Sequence, residues 1–143
     1  MKELPRILLA EDNSDDVELT LTALGEHNLA NTVDVVRDGV EALDYLYCRG
    51  AYAGRESGKP AVVLLDIKMP RLGGIEVLMK IREDPALKTV PVVMLTSSGL
   101  ENDIVRSYGL GVNAYVVKPV NFSEFIEAVK HLGVFWALLN RRC

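Results

Sequence analysis

Five side chains of this sequence stand where a short apolar run stops. Glu11 and Asp12 follow the run at residues 6–10, and Asp66 closes the run at 61–66. Thr96 closes the run at 91–96, and Lys118, with Pro119 behind it, closes a weaker run at 114–119. One Asp at the end of a strand reads as a turn residue. An acid pair plus a third acid on a neighbouring run reads as a site. Three carboxylates in one crevice repel unless a cation or protons neutralise them. Hard oxygen ligands with open positions suit Mg²⁺, which keeps waters and recruits phosphate oxygens. A lone Lys is usually a solvated surface residue. An ammonium beside such carboxylates is what a phosphoryl-transfer site uses to hold phosphate oxygens.

The elements that must position these groups are legible in the pattern. The runs at 6–10, 61–66 and 91–96 are near-continuously hydrophobic, as strands covered on both faces are. The run at 32–36 alternates, which predicts an edge strand. Helical spacing lies between the runs. Val17, Leu21 and Leu24 follow a cap at Ser14, and Ala42, Leu43 and Leu46 follow a capping-box-like start at Asp38 to Glu41. Ile75, Leu78, Met79 and Ile81 follow Gly73-Gly74, and Phe125, Ile126, Val129 and Leu132 follow a cap at Asn121. A weak helix is expected over residues 101–108. Strand and helix alternate five times, so the expected fold is α/β with a five-stranded parallel sheet, doubly wound by helices. In such a sheet ligands sit beyond the carboxyl ends of the strands, where the strand order reverses.

Composition bounds the rest. The 143 residues fit one domain, expected to span 1–143. A hydrophobic content of 49% rules out a disordered chain. Sixteen Lys and Arg against twenty Asp and Glu give a net charge of -4, which argues against nucleic-acid binding by overall charge. No segment is apolar and long enough for a signal peptide or a membrane span. Cys48 and Cys143 read as reduced thiols, so a cytoplasmic protein is expected, and His27 and His131 are too few for a multi-His metal site. The Gly-rich connection at 48–60 reads as a flexible loop. Gly109-Leu110-Gly111 formally begins a dinucleotide fingerprint but precedes a strand, so it reads as a helix stop. The sequon at Asn121 to Ser123 reads as a helix cap.

The set "LLAEDN", "LLDIKMPRLGG", "MLTSS" and "YVVKP" resembles the receiver domain of two-component response regulators over nearly the whole chain. The resemblance implies a flavodoxin-like sheet of order 2-1-3-4-5 and a phosphoacceptor signalling protein rather than an enzyme acting on a separate substrate. It implies Asp66 as phosphoacceptor, attacking a kinase phosphohistidine. It implies Asp12, helped by Glu11, as the Mg²⁺ holder, with Asp66 and the backbone carbonyl of Lys68 completing the protein ligands. Lys118 would pair with a phosphoryl oxygen. Thr96 would bond the phosphoryl group after transfer, and Tyr115 would move inward as the aromatic switch. Met69-Pro70 and Gly73-Gly74 shape the turn after Asp66. Lys68 and Ser98, neither acid nor amide, are poor at orienting a hydrolytic water, which implies slow self-dephosphorylation, while Ser97 leaves the phosphate room.

The long loop, "SYGLGVNAYVVKP" and Phe135-Trp136 further resemble single-domain receivers paired with bacterial phytochrome kinases. Two other chemistries use similar parts. A haloacid-dehalogenase-type phosphotransferase needs an acid two residues after its nucleophile, where this chain has Lys68. A flavodoxin-like FMN carrier needs a Ser/Thr/Gly phosphate loop where this chain has Glu11-Asp12-Asn13. At the C-terminus, six consecutive apolar residues at 134–139 would cover all sides of an extended helix, more than one buried stripe can hide. A homodimer is expected through the 101–108 helix, the fifth strand, the last helix and this extension. The alternative is that the extension folds back over its own domain.

Overall fold

A computed structural model describes residues 6–26, 32–55, 59–97, 109 and 111–130. The expected helix at 101–108, both histidines, Ser98 and the C-terminal extension with Phe135 and Trp136 lie outside the described residues.

Five parallel strands form one sheet: β1 (Ile7–Ala10), β2 (Val33–Val36), β3 (Val62–Asp66), β4 (Val92–Thr96) and β5 (Ala114–Val117), in the order β2-β1-β3-β4-β5. The alternating run is therefore an edge strand, as its pattern predicts, and the three continuous runs are the central ones. Four described helices connect or follow them: α1 (Ser14–Gly25), α2 (Gly39–Tyr47), α3 (Gly74–Glu83) and α4 (Phe122–Val129).

Side chains alternate across each strand, and this sorts the core into two layers. Leu8, Ala10, Val63, Leu65 and Met94 pack with Leu43, Leu46, Leu78 and Ile81 of α2 and α3. Ile7, Leu9, Leu64, Val93 and Leu95 pack with Val17 and Leu24 of α1 and Phe125 of α4. Each fully buried Leu, Ile or Phe contributes roughly 1.5–3 kcal/mol of transfer free energy, so the two layers hold the sheet rigid beneath its loops.

Two local expectations change. The cap of α1 is Asn13, not Ser14: Asn13 Oδ1 accepts from the Asp16 N–H at 3.0 Å, because Asn13 is the last residue with extended backbone. The loop after α2 is also built over much of its length. Cys48 ends α2 in the left-handed region, and a 3-10 turn follows at Gly50–Tyr52. Tyr52 meets Tyr45 edge to face at 5.3 Å, and Arg55 lies over the Tyr45 ring while donating to the Tyr45 carbonyl. Aromatic and cation–π contacts thus fix a stretch that its glycines made look loose.

Candidate phosphoryl and metal site

The register of the sheet assembles the site. Ala10 pairs with Leu65, so Glu11 and Asp66 emerge side by side. Asp66 pairs with Leu95, which precedes Thr96, and Thr96 pairs with Val117, which precedes Lys118. Backbone bonds carry the ladders one residue past the strands: Glu11 N–H to Val36 O at 3.0 Å, and Lys118 N–H to Thr96 O at 2.8 Å. By alternation Glu11, Asp66 and Lys118 project to the face covered by α1 and α4. Thr96 projects to the opposite face, which it shares with Tyr115, the partner of Met94.

The acids expected to converge do so. One carboxylate oxygen from each of Glu11, Asp12 and Asp66 lies within 4.8 Å of the others. Glu11 and Asp66 are buried and Asp12 is exposed at the rim. Lys118 Nζ donates to Glu11 Oε1 at 3.1 Å and to Asp16 Oδ2 at 2.9 Å, and stands 3.3 Å from Asp66 Oδ1. Burial, then the neighbouring Glu11 carboxylate, push Asp66 up to about 7, against the pull of Lys118. Lys118 is raised above its ordinary value: burial opposes its charge, but Asp16, Asp66 and Glu11 more than offset that.

The donor set fits a hard divalent cation. It is all carboxylate, partly open to solvent, and more acidic than one ammonium can neutralise. Asp66 and Asp12 could ligate it most readily, since Glu11 already accepts from Lys118 at Oε1 and from the Asn13 N–H at Oε2, at 3.1 Å each. Lys68 shares the open cleft with Asp12, Met69, Pro70 and Gly73, next to the acids.

Thr96 ends the strand next to that of Asp66. Its side chain is fully buried, and its hydroxyl has no hydrogen-bond partner among the described residues. An orphaned hydroxyl costs about 1–3 kcal/mol, a price consistent with a partner that arrives later. Tyr115 is half-buried and packs on the same layer of the core.

The turn after Asp66 is held by close backbone approaches. A Cβ on Gly74 would lie 2.1 Å from the Asp66 carbonyl oxygen, and one on Gly39 would lie 2.2 Å from the Leu72 carbonyl oxygen. Arg71, with φ +64°, pairs with Asp38, the α2 cap, at 2.9 Å and ties the loop after β3 to the loop after β2.

Two contributors were not identified from sequence: this Asp38–Arg71 tie, and Asp16. A signal for Asp16 exists. Strand parity turns Lys118 toward α1, and Asp16 directly precedes Val17, the first core residue of that helix.

Residues 7–130 match the response regulator receiver domain family. Response regulator Rcp1 of Synechocystis sp. is 37% identical over 130 residues, covering 91% of this chain and 87% of that protein. The structure of the bacteriophytochrome response regulator AtBRR is 60% identical, covers 98% of this chain and 100% of that chain, and superposes with a TM-score of 0.91. The bacteriophytochrome response regulator RtBRR is 56% identical, covers 97% and 84%, and superposes with a TM-score of 0.89. The Mn²⁺-bound form of Rcp1 is 34% identical, covers 97% and 98%, and has a TM-score of 0.70. None of the described helices is long and apolar enough to cross a membrane. An acid cluster suited to a divalent cation, on a sheet of this order, is what these relatives lead one to look for, and the dehalogenase and flavodoxin readings are not favoured. The chain belongs to the response regulator receiver domain family, signalling proteins whose partners include a histidine kinase.

Proposed function

We propose that Asp66 accepts a phosphoryl group from the phosphohistidine of a histidine kinase, in a Mg²⁺-assisted step, and that the chain signals through protein contact. The observation that carries this is the placement of Lys118 Nζ 3.3 Å from the Asp66 carboxylate, with Glu11 and Asp12 alongside. An Asp66 oxygen attacks phosphorus while the P–N bond to the donor imidazole breaks, and the departing nitrogen takes up a proton. Asp12 and Asp66, with the Lys68 carbonyl and the help of Glu11, would hold Mg²⁺, which would supply positive charge near the transferring group. Lys118 takes a phosphoryl oxygen, and Thr96 donates its hydroxyl to another. Tyr115 shares the Thr96 face of the sheet, so a shift of Thr96 reaches the surface of β5.

The similarity to bacteriophytochrome response regulators supports a kinase attached to a bacterial phytochrome as the donor. We read residues 1–143 as one receiver domain with an extended C-terminal helix, working in the cytoplasm. The 101–108 helix, β5, α4 and the extension would form a homodimer surface through which the signal passes. Slow self-dephosphorylation is the reading from Lys68 and Ser98, which as neither acid nor amide are poorly suited to orient a hydrolytic water. The test is intact mass after incubation with acetyl phosphate. One phosphoryl adduct with Mg²⁺, and none with EDTA or in Asp66→Asn, supports the reading. An equal adduct in Asp66→Asn overturns it.

A further inference from the structure

Asp16 occupies the third position of α1, after the cap Asn13. An acid there commonly reaches back to the backbone N–H at the start of its own helix. The structure shows two such reaches: in α3 Glu76 accepts from the N–H of its cap Gly73 at 2.9 Å, and in α2 the equivalent Glu41 accepts from the Arg37 N–H, one residue before the cap, at 2.7 Å. In α1 that service is performed by another residue. The Asn13 N–H goes to Glu11 Oε2, and Asp16 instead accepts from Lys118 Nζ, a residue 102 positions away.

An ammonium has three N–H bonds. Two of those on Lys118 are committed, to Glu11 Oε1 at 3.1 Å and Asp16 Oδ2 at 2.9 Å, and Asp66 Oδ1 lies in ion-pair contact at 3.3 Å. Glu11 belongs to the acid cluster suited to a cation, whereas Asp16 stands outside it. The Lys118 side chain is 14% exposed and that of Asp16 is 27% exposed, so the pair is shielded in a way that surface ion pairs are not.

We propose that Asp16 is a positioning residue for Lys118: it holds Nζ against α1 so that the remaining N–H is aimed at the oxygens on Asp66. Resting on Asp66 as the phosphoryl acceptor, this assigns to Asp16 a part in the same step that touches neither the metal nor the phosphoryl group. Its effect runs opposite to that of its charge. Were Asp16 only one more carboxylate, neutralising it would ease the approach of an anionic donor and speed phosphorylation. As a positioner, its removal slows the reaction.

The test uses phosphoramidate as donor, whose P–N bond breaks to release ammonia, at saturating Mg²⁺, with adduct formation followed by intact mass. Wild type, Asp16→Ala, Asp16→Asn, Lys118→Ala and the Asp16→Ala/Lys118→Ala double variant are compared. We expect Asp16→Ala to react about tenfold more slowly, as displaced catalytic groups do. Asp16→Asn, which keeps an acceptor oxygen and guards against misfolding, should fall between. In the Lys118→Ala background, removing Asp16 should cost nothing further. A second readout needs no metal: in EDTA, the Lys118 ammonium resonance in ¹⁵N NMR should exchange slowly with water in wild type and rapidly in Asp16→Ala. An unchanged or faster rate in Asp16→Ala, an equal loss in the Lys118→Ala background, or an unchanged ammonium resonance overturns the inference. If wild type forms no adduct, the Asp66 reading falls and this one with it. If wild type reacts and Asp16→Ala matches it, this inference alone falls.

Discussion

In the metal-free protein, replacing Asp66 by Asn should stabilise the fold more at high pH than at low pH. Burial and the Glu11 carboxylate raise the Asp66 carboxyl from 3.8 to about 7. A raised folded-state pKa means that the native state holds a proton the unfolded chain releases. The associated stability is fully present below pH 3.8 and is lost as pH rises through 7. Between pH 8 and pH 5 the part of this stability that is lost is a few kcal/mol before screening. The site opens to solvent at the Asp12 rim, so on the order of 1–2 kcal/mol is expected after screening. Urea unfolding in EDTA at pH 5, 6, 7 and 8 measures it, and the difference between Asp66→Asn and wild type cancels the other titrating groups. The stability advantage of the variant should be larger at pH 8 than at pH 5 by that amount. Adding Mg²⁺ should close the gap at pH 8, because the cation replaces the proton as the neutralising charge. A gap that does not change with pH, or a wild type more stable than the variant at pH 8 without metal, would refute the reasoning.

Three further outcomes are expected. Thr96→Val removes a buried hydroxyl with no partner among the described residues, so it should raise metal-free stability by about 1 kcal/mol in urea melts while abolishing the response around Tyr115 to beryllofluoride seen by NMR. Asp12→Ala removes the exposed carboxylate of the acid cluster, so an NMR titration should show Mg²⁺ affinity reduced by at least about tenfold, with the fold intact because a like-charge repulsion is relieved. If the C-terminal extension forms the dimer, sedimentation should show wild type as a dimer and Trp136→Glu as a monomer; a monomeric wild type with and without beryllofluoride would leave the extension as packing within one chain.

The acidic end of the sheet was legible because its residues sit at strand ends, where one-dimensional order translates into spatial neighbourhood. Glu11, Asp66, Thr96 and Lys118 each close an apolar run, and parallel register does the rest. The edge position of β2 was equally visible in its alternation. What the sequence hid depends on side chains crossing between elements. Asp16 looks like any first-turn acid until its neighbour Glu11 is seen to satisfy the local N–H in its place. Arg71 reads as a solvated turn residue, yet it reaches Asp38, 33 positions away. The loop after α2 looked loose because glycine is counted without its neighbours, and Tyr45, Tyr52 and Arg55 give it a packed anchor. The cap at Asn13 rather than Ser14 is a one-residue difference decided by backbone conformation, which side-chain type alone does not distinguish.

The central claim is that the phosphoryl group resides on the Asp66 carboxylate, and it is tested most directly by locating the acyl phosphate. The protein is treated with phosphoramidate and Mg²⁺, then reduced with borohydride, which converts an aspartyl phosphate to homoserine and releases phosphate. Peptide mass spectrometry should find homoserine at position 66 alone, dependent on Mg²⁺ and absent from a sample kept in EDTA. Homoserine at Asp12 or Asp16 instead, or a phosphoryl group that survives reduction on a serine or threonine, would contradict the account.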